Sequence, residues 1–423
     1  MLSIARSRYL FFVEKAAALL LLAYPTLMLV VRGGMNGALL FMLLLAFVAW
    51  VARPTGMSPV VWRREWTIYS AAMLAMSAAI FISQSYHQNY AAHPHDAASR
   101  YWLAIPVFLL LKRLRPNVFT LLQFAFPVAA ITGFLLAKDL GGRSGIGTLS
   151  PIHFGDFELI LGMLSVFSIN WFGRDKLPLR ILKVLGLIAG LAASLASGSR
   201  GGWLAIPVFI AIFFYFKVFR ISLKMAVTGL IAAILSITIA YSASTTFHQR
   251  VDSVHQRASS LINEVVTFKQ GNRDSSTGVR WQLYMAAVDV FSRHPIFGVG
   301  PEGYALEMKP MMEAGKITPE AAYLVQGEVH NDILSKAAGM GVFGLVAILA
   351  IYFVPFRLFW QATKSAVPQA RRAGILGIVF VSGFFVFGLT VEILGLTMAT
   401  AFYGFTVAVL LAACYNVHYR VPL

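Results

Sequence analysis

The stretch "AAALLLLAYPTLMLVV", residues 16–31, runs sixteen positions without a formal charge. A helix needs about 20 largely apolar residues to cross roughly 30 Å of bilayer hydrocarbon. This stretch is near that length, and comparable blocks recur along the chain, centred near Leu21, Leu43, Met76, Val107, Phe126, Met163, Gly190, Phe209, Ile234, Leu349, Val381 and Val407. Backbone groups in lipid must be satisfied inside the structure that crosses it, and blocks this long specify helices rather than the short alternating strands of a barrel. The expected fold is therefore an all-α polytopic membrane protein with about twelve transmembrane helices. Composition agrees, because 58% of the 423 residues are hydrophobic and 13% charged, more apolar surface than a soluble domain can hide. The first block follows a basic segment and lacks a small-residue cleavage site, so it reads as a retained span rather than a signal peptide. The single cysteine, Cys414, excludes an intramolecular disulfide and a cysteine-based metal cluster.

Twelve spans put both termini on one side of the membrane. With that side inside, the inner segments hold most of the Lys and Arg, whereas the short outer loops hold only Arg32, Arg100, Lys138, Arg143 and Arg200. The positive-inside rule then makes both termini cytoplasmic. The net charge of +17 reads as anchoring to a phospholipid membrane, with no nucleic-acid partner. Span four is short: Tyr101 to Leu111 crosses only if Asp96 and Arg100 enter the outer boundary. One long polar connection lies between spans nine and ten, which divides the chain into helices 1–9 at 1–243, an outer loop domain at 244–336 and helices 10–12 at 337–423. Within the loop domain, Val251, Val254, Ala258, Leu261, Ile262 and Val265 recur at helical spacing. A second helix is expected from Arg280, with Trp281, Tyr284, Val288 and Phe291 on one face. A third is expected at Pro319, capped by Thr318.

Polar residues beside hydrocarbon are costly unless paired, solvated or holding a ligand. Four stretches qualify at the outer face. "LASGSRGGWLA", residues 195–205, sets Arg200 in a tight turn whose small neighbours leave room for a bulky group. "DLGGRSGIGTLSPIHFGDFEL", residues 139–159, gathers Arg143, His153, Asp156 and Glu158 at the start of span six. "SSTGVRWQLYMAAVDVF", residues 275–291, puts Arg280 at a helix start, where backbone N–H groups favour anions. "GEVHNDILSKAAGMGVFG", residues 327–344, places His330, Asn331 and Asp332 where the loop domain meets span ten. Arginine's planar fork suits phosphate oxygens. Each residue also has a plainer reading: Arg143 as a solvated loop charge, Arg280 as a partner of Asp274, Glu158 as a helix-start carboxylate, and a lone histidine as a packed or solvated one.

No P-loop and no Rossmann glycine fingerprint is present, and no acidic cluster has metal-ligand spacing, so neither a nucleotide cofactor nor a metal is indicated. A multi-pass transporter is the competing class. It would be expected to carry ionisable residues at mid-membrane, whereas here the acids and arginines gather at one face.

Three successive motifs, "SGSRGG" at 197–202, "RWQLYMAAVDVFSRHPIFGVGPEGY" at 280–304 and "HNDILSKAAGMGVFG" at 330–344, resemble the signatures of the O-antigen ligase and O-antigen polymerase superfamily. The spacing of His330 and Asn331 to Gly341 and Gly344 is similar to the ligase pattern. "RSGIGTLSPIHFGD" resembles the preceding outer loop, with Ser150 where asparagine is expected before proline. The resemblance implies a GT-C-like glycosyltransferase of the bacterial inner membrane with a periplasmic active site. Its donor would be O-antigen on undecaprenyl diphosphate and its acceptor a sugar hydroxyl of lipid A–core, joined by metal-independent, inverting transfer without a cofactor. An O-antigen polymerase or another lipid-linked oligosaccharide transferase is the alternative within the class. His330 would be the catalytic base, Arg200 and Arg280 would hold the diphosphate with Arg143 and Arg100 as further candidates, and Asn331 or Asp332 would orient the imidazole. If a metal were needed, Asp139, Asp156 and Glu392 are the carboxylates to consider.

Overall fold

The computed structural model describes residues 2–52, 61–137, 149–218, 273–323 and 328–420, the side chains of 2–8 and 419–420 excepted. Eight helices come first: α1 (Leu2–Val30), α2 (Gly34–Ala52), α3 (Arg64–His87), α4 (His93–Leu111), α5 (Leu122–Leu136), α6 (Pro151–Phe167), α7 (Leu177–Ser197) and α8 (Ala205–Tyr215). A small layer follows, α9 (Ser276–Arg293), α10 (Tyr304–Glu313) and α11 (Pro319–Tyr323). The chain then returns through α12 (Asp332–Ala362), α13 (Pro368–Gly388) and α14 (Thr397–Cys414). Among the described residues every regular element is helical, as the hydropathy pattern requires.

Eleven of the twelve expected span centres fall on these helices, and the ninth, near Ile234, lies outside the described residues. Of the eleven helices that carry those centres, eight are long and apolar enough to cross a membrane, α5 when joined to the 3-10 turn before it as Pro116–Leu136. Three are not. α4 carries Asp96 and Arg100 within it, α6 has 17 residues, and α8 has 11. The polar start of α4 is neutralised internally, because Arg100 donates to Asp96 at 2.8 Å and to Asn36 at 2.9 Å.

Burial sorts the bundle into centre and rim. Fifteen of the 18 residues of α14 and 13 of the 17 of α6 are buried, whereas α7 presents Ile181, Val184, Leu185 and Ile188 outward. A helix apolar on every side belongs in a bundle core, and an outward apolar stripe in lipid costs nothing. Edge-on aromatic contacts join the central helices, Phe157 to Phe402 at 5.7 Å and Phe380 to Phe402 at 5.5 Å. Gly162 of α6 meets Gly190 of α7 across a close crossing, as small residues permit where helices pack without a hydrophobic drive.

The layer α9–α11 has its own buried cluster, built on Val279, Leu283, Val290, Tyr304, Met308 and Ile317. Thr318 caps α11 as expected, accepting from the Ala321 N–H at 3.4 Å. α9 differs from expectation. It begins at Ser276, with Ser275 accepting from the Gly278 N–H at 3.1 Å, so Arg280 sits in the second turn rather than at the helix start. Its packed stripe is Val279, Leu283 and Val290, which leaves Trp281 55% and Val288 45% exposed. The buried side is the one that packs against Tyr304, Met308, Ile317 and Ala338, a choice made by tertiary contact rather than by helical spacing. The helical spacing at 251–265 lies outside the described residues.

The layer is locked to the bundle through backbone. Inside α12, Gly341 adopts φ 61°, ψ −147°, which breaks the helix. The segment after α9 fills the break, with Val299 N–H donating to the Ala338 carbonyl at 3.1 Å and Val342 N–H to the Pro295 carbonyl at 2.8 Å. A side chain on Gly341 would strike the Ile296 carbonyl, and one on Gly298 the backbone of Gly339. The glycines of "GMGVFG" are thus required by a left-handed conformation and by backbone-to-backbone contact.

Candidate functional site

Each polar stretch singled out in the sequence sits at a helix boundary whose geometry is fixed by a cap. α7 ends in left-handed Gly198, which turns the chain into Ser199, Arg200 and a short 3-10 turn, Gly201–Leu204. Gly201 lies against Thr390, and Gly202 against Asp156 and Phe387. The small neighbours of Arg200 therefore serve the protein's own packing, correcting the expectation that they leave room for a bulky group. α6 begins at Pro151 after Ser150, whose hydroxyl accepts from the His153 N–H at 3.4 Å and also bonds the ring Nδ1 of His153. Glu158, read as a helix-start carboxylate, is the eighth residue of α6, fully buried and packed over Gly133.

His330 precedes α12 in the left-handed region, φ 58°, an uncommon conformation for a side chain of this size. Its neighbours hold it there. Asn331 caps α12, its Oδ1 accepting from the N–H groups of Ile333 and Leu334 at 2.9 and 3.0 Å while its Nδ2 donates to the Leu389 carbonyl at 3.2 Å. The Tyr284 hydroxyl of α9 lies 3.2 Å from the His330 carbonyl and 2.9 Å from that of Leu389. Glu392 grips both sides of the histidine: one oxygen accepts from the Val329 N–H at 2.5 Å, the other from the Ser335 hydroxyl at 2.6 Å, with Lys336 at 3.9 Å. Asp332 is fully buried and receives the Tyr352 hydroxyl at 2.8 Å and the Leu394 N–H at 3.1 Å. The hydrogen bonds of Asn331 and Asp332 thus fix backbone around His330. The carboxylate beside the imidazole is Glu328, 3.8 Å from Nδ1.

Electrostatics favour a neutral imidazole. Burial lowers the His330 pKa from its ordinary value, Arg280 lowers it further, and Glu392 acts in the opposite direction. Burial and the charge on Glu392 raise the Glu328 pKa. Arg280, half-buried, makes no hydrogen bond or ion pair with another described residue, yet its charge reaches His330, Asp156 and Tyr284.

The tertiary structure thus brings Arg200, Arg280, His330 and the first turns of α6 to one end of the bundle. Arg143 lies outside the described residues. Arg100 is engaged elsewhere, with Asn36, Ser99 and Asp96. Glu392, Tyr284 and Glu328 join the site although sequence reasoning did not assign them to it. A lone acid at the end of an apolar block was the one available signal for Glu392. Among the described residues, no group of three or more His, Cys, Asp or Glu side chains could hold a metal ion.

The bundle thus gathers at one end arginines and a histidine whose pKa is lowered by burial. Residues 185–349 match the O-antigen ligase family, a segment that contains Arg200, Arg280 and His330. An uncharacterized protein of Haemophilus influenzae is 26% identical over 292 residues, 68% of this chain and 71% of that one. The O-antigen ligase of Escherichia coli K12 is 20% identical over 265 residues, 62% of this chain and 60% of that one. The resemblance read from the motifs is therefore borne out over residues 185–349, and the chain is a membrane protein similar there to the O-antigen ligases.

Proposed function

We propose that this chain transfers O-antigen polysaccharide from undecaprenyl diphosphate to a sugar hydroxyl of lipid A–core, at the periplasmic face of a bacterial inner membrane. The observation that carries the reading is the placement of Arg280, which lacks an ionic partner among the described residues, within electrostatic reach of His330, whose pKa burial and that arginine lower. In the reaction, the acceptor oxygen bonds to the anomeric carbon as that carbon's bond to the diphosphate oxygen breaks. The acceptor proton goes to His330, and undecaprenyl diphosphate leaves with the electron pair. A base on the nucleophile and positive charge on the leaving group are the two aids such a step needs. Arg200 and Arg280 take the second role, with Arg143 guiding the donor further out, whereas Arg100 is held by Asn36, Ser99 and Asp96. Asn331 orients the imidazole through its cap on the adjoining backbone, and Asp332 anchors the segment that carries Glu392. The diphosphate supplies the activation, so no nucleotide, metal or other cofactor is required.

The layer within 244–336 roofs the site, both termini face the cytoplasm, and the helices outside this loop form a GT-C-like bundle. Purified protein in nanodiscs, given lipid-linked O-antigen and lipid A–core without an ion gradient, is expected to yield full lipopolysaccharide. Longer lipid-linked chains instead would make it a polymerase, and no covalent product would leave a transporter.

A further inference from the structure

Among the described residues, four buried polar atoms around Arg280 have no hydrogen-bond partner: Nε2 of His153, both carboxyl oxygens of Asp156 and Nδ1 of His330. Native structures leave few such atoms, and a cluster of them marks where a ligand's polar groups fit. His153 and Asp156 stand three residues apart on α6, hence on one face of the helix. Asp156 is 1% exposed and touches Gly202 of the Arg200 turn, and the next turn residues, Ser197 and Ser199, lie over Gly155. This face of α6 therefore packs against the turn that carries Arg200, and it lies within electrostatic reach of Arg280 and His330.

The chemistry of the pair points away from phosphate. The Ser150 hydroxyl engages Nδ1 of His153, which leaves Nε2 as the ring atom turned to a ligand. The face thus offers one imidazole nitrogen beside a carboxyl group. A sugar hydroxyl, donor and acceptor at once, complements both, whereas a diphosphate would meet a carboxyl where it needs cations.

We propose that His153 and Asp156 form the subsite that binds the acceptor sugar, holding its hydroxyls beside His330 while the arginines hold the donor. This rests on the transferase reading above. The pair are binding and positioning residues, and the proton still passes to His330.

The test uses full-length protein in nanodiscs and two readouts. Equilibrium binding of lipid A–core, without donor, is compared for wild type, Asp156→Asn and His153→Gln, and acceptor and donor KM are measured in the transfer assay. Loss of one buried hydrogen bond to a hydroxyl is expected to weaken acceptor binding and raise acceptor KM by about tenfold or more. Donor binding stays within about twofold by the same argument, which also shows that the variants are folded. Acceptor binding equal to wild type in both variants, or loss of donor binding in its place, overturns the proposal. If wild type extends lipid-linked glycan, the ligase reading fails while the subsite is read on that glycan as acceptor.

Discussion

His330 joins a left-handed backbone to an imidazole whose charge is opposed by burial and by Arg280. A lowered pKa means the base stays neutral further into acid. The acid limb of kcat/KM should therefore lie below the ordinary histidine value of about 6.5. Glu392→Gln removes the one influence that raises this pKa and should move the limb lower still; a limb at or above 6.5 in wild type would count against His330 as the titrating base. His330→Ala should cut transfer by about 10²–10⁴ while donor binding persists, since loss of a general base costs that much and the arginines remain. Near-normal turnover would remove it from catalysis. Arg200→Lys and Arg280→Lys keep charge but lose the planar fork, and each should lower turnover by about 10²–10³ if it contacts the leaving diphosphate. Turnover unchanged in both variants would make these arginines structural.

Between helices, glycine decides which backbones can touch. Gly341→Ala places a side chain in a left-handed conformation and against the Ile296 carbonyl, at the joint that seats the α9–α11 layer. It should destabilise the protein by about 1–3 kcal/mol or more and depress activity, because that layer carries Arg280 and Tyr284. Gly190→Leu should likewise part α6 from α7, where the added atoms would strike Glu158 and Gly162 backbone. Gly37→Ala in α2 is the control, since nothing lies within 4 Å of the new carbon. Thermal unfolding in detergent reads all three; equal midpoints would mean these contacts are not tight in solution.

At the scale of the whole molecule, the proposed orientation rests on the lysine and arginine asymmetry of the sequence. In a Cys414→Ser background, Arg174→Cys should react with a membrane-impermeant thiol reagent only in inverted vesicles, and Glu302→Cys only in intact spheroplasts. The reverse pattern would place His330 on the cytoplasmic side and exclude the proposed acceptor. Activity should also survive EDTA if, as proposed, arginines serve the leaving group; loss restored only by Mg²⁺ or Mn²⁺ would redirect attention to Asp139, Asp156 and Glu392.

The helical membrane fold was legible in the chain because lipid cannot hydrogen-bond a backbone, so blocks such as residues 16–31 admit few other structures. Arg200, Arg280 and His330 were legible as candidates because charge and imidazole beside hydrocarbon need a reason. What sequence spacing could not supply was direction. α9 starts one turn before its expected residue, Asn331 turns its hydrogen bonds to backbone and Asp332 to Tyr352 and the Leu394 N–H rather than to the imidazole, and Glu392 reaches the His330 segment from 62 residues away. Those outcomes depend on which cap starts each helix and which glycine lets two backbones meet. Both are settled by contacts between distant segments, so only the tertiary structure decided them.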